Sequence, residues 1–214
     1  SEPHISDLVQ LTVDIKTASK KHVEDYSHKD VSSSGPGLCQ GIMWKIAHTR
    51  LVQIHPITRR PRTRFELYQT AFEIQDAYQA HVLRCWCGED GQHYRASVKK
   101  WQRVYVKSNR AYGGAVECCK DLVRSTLVFD TVAQWVACLR RIYDDKEVKI
   151  LQMKNRLDPA YSDFTGYRDV SLVLFGSLTN NMIVECQLNT RSIFRAKSAS
   201  GHKRYVEARD ARGD

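Results

Sequence analysis

The sequence has no uninterrupted apolar run of about 18 residues, so no membrane-spanning helix and no membrane partner is expected. No secretory signal stands at its start. Paired C-x-x-C spacing is also lacking. The seven cysteines, Cys39, Cys85, Cys87, Cys118, Cys119, Cys138 and Cys186, are odd in number and irregularly placed. That pattern argues against a disulfide framework and against a thiolate zinc site, and predicts buried or idle thiols. Together these absences predict an intracellular protein in a reducing compartment. Internal repeats are absent too.

Positive charge is abundant. Lys and Arg total 33 against 24 Asp and Glu, a formal net charge of +9. Such a surface attracts polyanions: nucleotides, RNA or a ribonucleoprotein. A solvated basic surface with no partner would have the same composition. The 214 residues suffice for one core with a helical extension.

Hydrophobic periodicity divides the chain. Residues 1–91 read as a mostly helical lobe. An amphipathic helix is predicted over 5–25, with Ile5, Leu8, Val9 and Val13 as its apolar stripe. Ser32-Ser33-Ser34-Gly35-Pro36-Gly37 is a loop, and a short element follows around 42–51. The basic stretch from Pro56 to Arg64 should be exposed. Phe65 to Leu83 reads as a helix with Phe65, Tyr68, Phe72 and Gln75 near one face.

Residues 92–214 read as a second unit, an α+β (mixed α/β) core with one sheet. Residues 93–107 form a basic segment predicted to be helical. Ser125–Phe129 is a strand by composition. Asp130 or Thr131 can cap the next helix, where Val132, Trp135, Val136, Leu139, Ile142 and Tyr143 recur at helical spacing. Strands follow at Val148–Met153, Arg168–Phe175 and Met182–Leu188, then a closing basic helix over 190–208.

Four features carry chemistry. In Met182-Ile-Val-Glu-Cys-Gln-Leu188, strand alternation puts Glu185 and Gln187 on one face and Val184, Cys186 and Leu188 on the other. Asp121, just ahead of a strand, could join Glu185 to hold Mg²⁺, which prefers oxygen ligands. It could equally be a helix-terminal carboxylate paired with Arg124. Gly166 ahead of Tyr167 could let the backbone approach a ligand on which the ring stacks, or be a turn glycine beside a core tyrosine. Arg95, Lys99, Arg103 and Lys107 recur every four residues, with Lys100 and Arg110 nearby. On a helix they form a row that suits a triphosphate, or a solvated face.

The order and spacing of these segments resemble the synthetase domain of RelA/SpoT-like (p)ppGpp synthetases. The resemblance rests on Asp121-Leu122-Val123-Arg124, Gly166-Tyr167-Arg168, Glu185-Cys186-Gln187 and His202 near Tyr205, with basic residues ahead of Asp121. It covers roughly half the chain. It implies a nucleotidyltransferase-like mixed β-sheet flanked by helices, and transfer of pyrophosphate from ATP to the ribose 3′-hydroxyl of GTP or GDP. It implies Asp121 and Glu185 as catalytic and Mg²⁺-binding residues. Arg95, Lys99, Arg103, Lys107 and Arg124 would grip the ATP phosphates. Tyr167, Arg168, Lys154, Arg156, Gln187 and His202 would receive the acceptor nucleotide. Two departures stand out. The family strand ends Gln-Ile-Arg-Thr, whereas this one reads Gln187-Leu188-Asn189-Thr190; and the family histidine after Gly-Tyr-Arg is Ser171. Two other readings stay open: the same chemistry on the 3′ end of tRNA, and an inactive RelA/SpoT-like structural subunit of a ribonucleoprotein.

Overall fold

The computed structural model describes residues 3–26, 51–55, 57–58, 60–158 and 168–196. Five α-helices appear among the described residues, in chain order: α1 (Pro3–Tyr26), α2 (Arg64–His81), α3 (Trp101–Tyr112), α4 (Val132–Asp144) and α5 (Arg191–Ala196). Five strands appear among them: β1 (Gln92–Arg95), β2 (Arg124–Phe129), β3 (Lys149–Asn155), β4 (Val170–Phe175) and β5 (Val184–Thr190). They make one sheet in the order β1-β2-β5-β4-β3. β2 and β5 run parallel and every other pair is antiparallel.

The sheet has two unlike faces because side chains alternate along each strand. Leu127, Phe129, Val170, Leu172, Leu174, Val184, Cys186 and Leu188 enter the main core. Glu185, Gln187 and Thr126 lie on the opposite face and are only partly buried. The core side is covered by helices. Buried Leu11 and Ile15 of α1 and Leu67, Ala71, Ile74 and Tyr78 of α2 join the same cluster as the sheet residues. So do Trp135, Val136, Cys138, Leu139 and Ile142 of α4.

Local chemistry sets the helix ends. Thr63 starts α2 and Thr131 starts α4, each in a reciprocal capping box, with Glu66 and Gln134 as the returning side chains. α3 stops at Gly113, whose φ of 62° a side chain would resist and whose N–H bonds to Ser108 O.

Several expectations change. Residues 93–107 are not one helix: 92–95 form edge strand β1, and α3 begins only at Trp101. Backbone pairing with β2 wins there over the helix-like spacing of the cations. In α1 the buried apolar side chains among the described residues are Leu11 and Ile15, and Val9 and Val13 face solvent. Ile5 and Leu8 carry side chains outside the described residues. In α2, Phe65 and Phe72 are exposed, because Leu67, Ile74 and Tyr78 set the inward face. Arg62, in the stretch expected to be exposed, is buried and donates to Ile54 O, Thr70 Oγ1 and Asn180 O. The Ser32–Gly37 loop and the residues beyond Ala196 lie outside the described residues.

The α4 stripe yields a stability test. Leu139 is fully buried, and Leu139→Ala is expected to cost about 2–5 kcal/mol of urea-unfolding free energy. Thr131→Ala, which removes only a cap, is expected to cost about 1 kcal/mol.

Candidate functional site

Asp121 is placed by backbone bonds on both sides. Lys99 N donates to Leu122 O at 2.9 Å, and the buried Gln53 amide donates to Cys119 O at 3.2 Å. The Asp121 carboxylate is buried between two lysines. Lys99 Nζ is 2.5 Å from Oδ2, and Lys107 Nζ is 2.9 Å from Oδ1. Burial pushes the Asp121 carboxyl up, but the adjacent charges of Lys107 and Lys99 outweigh it and hold the group down at about 2. Burial pushes Lys107 down, but the charge of Asp121 outweighs it, helped by Tyr112 and Glu185, and its pKa ends above the ordinary lysine value. Lys107 therefore sits in the field of both carboxylates. The neighbouring Cys119 thiol is pushed up to about 11 by burial, which keeps it protonated and unreactive at neutral pH.

Glu185 comes from the centre of the sheet. Its backbone N–H donates to Val123 O at 3.0 Å, two residues past Asp121. Parallel pairing puts Glu185 beside Arg124 and Gln187 beside Thr126. On the other flank, Ser171 of β4 lies opposite Gln187, and its hydroxyl donates to Glu185 Oε1 at 2.8 Å. Lys154 of β3 lies opposite Ser171 and is exposed. One sheet face therefore presents Arg124, Thr126, Glu185, Gln187, Ser171 and Lys154, with the Asp121–lysine cluster at the edge where β2 begins.

The cations expected in one row have separate places. Lys99 and Lys107 converge on Asp121, one from the segment before α3 and one from its second turn. Arg95 lies on β1 and is ion-paired with Asp76 of α2. Arg103 is exposed on α3. Asp121 has these lysines, not Arg124, as its partners. Arg156 is ion-paired with Asp169, a fully buried carboxylate one residue before β4. Arg168 is half-buried at the start of the same segment. Tyr167 and His202 lie outside the described residues.

The sequence did not single out Ser171 as a contributor to the site. Its signal was available: strand alternation puts it on the same face of β4 as Val173, and Val173 pairs with Glu185. Knowing that β4 and β5 are neighbours requires the fold. Gln53, Tyr78 and Gln79, which hold the site's backbone from the other side, left no sequence signal.

A five-stranded mixed sheet flanked by helices is a fold this chain shares with solved small alarmone synthetases. Solved structures carry the likeness. The small alarmone synthetase 1 from Bacillus subtilis superposes with a TM-score of 0.54 at 12% identity, over 65% of this chain and 78% of that one. Its structure bound to its product pppGpp gives 0.50 at 14% identity, over 66% and 77%. The small alarmone synthetase 2 from Bacillus subtilis gives 0.51 at 16% identity, over 69% and 82%. The likeness is one of fold. No family model matches the sequence, and no curated protein matches it. No helix among the described residues is long and apolar enough to cross a membrane.

The Asp121 cluster should be visible in acid stability. The folded carboxyl titrates at about 2, below its ordinary value of 3.8. Ionised Asp121 therefore adds stability that is fully present above pH 3.8 and is lost as pH falls through 2. Between about pH 6 and pH 2, the unfolding free energy of the unmodified chain should fall about 2 kcal/mol further than that of Asp121→Asn. Urea titrations at the two pH values check this.

Proposed function

We propose that this chain is an ATP-dependent pyrophosphotransferase that moves the terminal pyrophosphate of ATP onto the ribose 3′-hydroxyl of a guanosine nucleotide, GTP or GDP. The observation that carries the reading is the cluster of Asp121, Lys99 and Lys107 next to Glu185. It stands on the polar face of a sheet whose fold is shared with alarmone synthetases.

The cations supply the grip. Lys99 and Lys107 are held by one carboxylate. A triphosphate carries more negative charge than Asp121, so both lysines transfer to phosphate oxygens when ATP arrives, and the Asp121 oxygens are released. Arg124 and Arg103 add charge from β2 and α3. Arg95 would have to leave Asp76 to join them.

Such chemistry calls for Mg²⁺, and the donor set fits it. Among the described residues no group of three or more His, Cys, Asp or Glu forms an all-protein cage. Mg²⁺ characteristically takes one or two carboxylates and completes its shell with phosphates and water. Asp121 and Glu185, both in the field of Lys107, would hold it. Bound there, the ion would neutralise charge on the triphosphate.

The remaining roles fall to the sheet. Ser171 occupies Glu185 Oε1, which fixes the carboxylate and leaves Oε2 to accept a proton. The acceptor 3′-oxygen attacks the β-phosphorus of ATP as its proton passes to Glu185. The bond from that phosphorus to the α–β bridging oxygen breaks, and AMP leaves. Gln187, Lys154 and Arg168 border the acceptor side, with Arg156 beyond Asp169. Tyr167 is assigned to the acceptor base and His202 to the acceptor nucleotide. Most of the acceleration is positioning and charge neutralisation.

The test is transfer of radiolabel from γ-labelled ATP, with Mg²⁺, to GTP, GDP or tRNA. Label in a guanosine nucleotide is expected. Glu185→Gln should lower kcat by about 10²–10⁴ with little change in ATP KM, and Lys107→Met should raise ATP KM. Label on tRNA alone would move the reading to the tRNA 3′ end. No transfer to any acceptor, with Glu185→Gln equal to the unmodified chain, would overturn the enzyme reading.

A further inference from the structure

The outer face of α2 and α3 carries a row of aromatic rings that the proposed reaction does not use. Phe72, Tyr68, Trp101 and Tyr105 follow one another with ring centroids 6.3, 6.2 and 5.9 Å apart. The two ends are open: Phe72 is 66% exposed and Tyr105 55%. Phe65, one turn before Tyr68 on α2, is 75% exposed. Single exposed rings are ordinary on protein surfaces, but a contiguous row is not.

Cations interleave with the rings. The Arg64 guanidinium lies 4.7 Å from the Trp101 ring centroid. Lys100 and Arg103 are exposed on either side of Trp101. Between Asp90 and Glu117 the sequence has six Lys and Arg and no acid. The acids of α2 nearest the row already have partners: Glu66 binds Arg60 and the Thr63 cap, Glu73 accepts from Gln69, and Asp76 pairs with Arg95. Lys99 and Asp121 lie at the inner margin of the row, because the Tyr68 hydroxyl donates to Lys99 O at 2.7 Å and Lys99 Nζ contacts Asp121.

We propose that this face of α2 and α3 is a docking track for single-stranded nucleic acid. Bases would stack on Phe72, Tyr105 and Phe65, and phosphates would lie against Arg64, Lys100 and Arg103. Flat rings accept any base, and a positive border follows the backbone, which is how sequence-tolerant single-strand binding works. A duplex hides its base faces and would gain only the charge contacts. A second copy of this chain would bring the same exposed cations, Arg64, Lys100 and Arg103, to the same face, so charge complementarity favours the polyanion. The track does not depend on the pyrophosphotransfer reading, and its binding is measured without ATP.

The test is fluorescence anisotropy of a labelled single-stranded RNA of about 12 nucleotides, within the span of known single-strand sites. Oligo(A), oligo(U) and a duplex of equal length are compared across a salt series. Both single strands should bind, with the duplex weaker. Phe72→Ala with Tyr105→Ala should weaken single-strand binding by at least about tenfold. That variant should keep its melting temperature and salt slope, because both residues are exposed. Arg64→Gln with Lys100→Gln should instead reduce the slope of log affinity against log salt by about 1.4, two charges at about 0.7 each. The proposal is overturned by any of four results: no binding at low salt; a duplex bound as well as a single strand; the aromatic variant binding like the unmodified chain; or sedimentation showing self-association that the aromatic variant abolishes.

Discussion

Tyr78 and Gln79, neighbours on α2, hold β2 and β5 from the core side at the level where the candidate site lies. The Tyr78 hydroxyl donates to Glu185 O at 3.0 Å, and Gln79 Nε2 donates to Arg124 O at 3.0 Å. Gln79 Oε1 accepts from Ser125 Oγ at 2.6 Å and lies 2.9 Å from His93 Nε2 on β1. Two adjacent side chains thus grip three strands at one height. A buried glutamine is costly unless its amide is satisfied, and here both ends are. Gln53 does the same at the strand starts, where its amide exchanges two bonds with Ile183 and gives a third to Cys119. The heights of Asp121, Arg124 and Glu185 relative to one another are consequences of these bonds.

Above that frame the electrostatics are nearly self-cancelling. Lys99 and Lys107 carry two positive charges, and Asp121 and Glu185 carry two negative ones. Burial by itself pushes the Asp121 carboxyl up, toward its protonated form. Two lysines reverse that effect, and the burial of Lys107 is offset in turn by the carboxylates. A neutral, mutually held cluster is stable without ligand, yet each member can exchange its partner for a stronger one. Ser171 is different. Its uncharged hydroxyl holds Glu185 by a hydrogen bond that needs no exchange.

Some of this was legible in the sequence and some was not, for identifiable reasons. The α4 stripe and the β5 alternation were strong because packing on one face enforces their periods. Polar Glu185 and Gln187 opposite apolar Cys186 and Leu188 follow directly. β1 was illegible. Gln-His-Tyr-Arg has no strand-like alternation of apolar residues, and only pairing with β2 makes it a strand. The four-residue spacing of cations suggested a helix face, but two of the four stand outside α3. The inward face of α1 was misread because Val9 and Val13 satisfy helical spacing as well as Leu11 and Ile15 do. Which stripe is buried depends on β3 and α4 lying alongside. The partners of Asp121 could not be read at all, because Lys107 lies fourteen residues away across a chain reversal.

Ser171 shows why a departure from a family pattern has to be read through contacts. As sequence it is a missing histidine. In the fold its small hydroxyl reaches a carboxylate on the next strand, at a position almost closed to solvent. An imidazole there could carry charge to an acceptor phosphate; a hydroxyl bonded to Glu185 cannot. Asn189, where the family strand has arginine, is buried too and likewise carries no charge. Under the proposed reaction, positive charge for the acceptor must then come from the flanks, from Lys154 on β3 and Arg168 ahead of β4. The centre of the face is left to hold Glu185 in place, and the edges decide which acceptor is accepted.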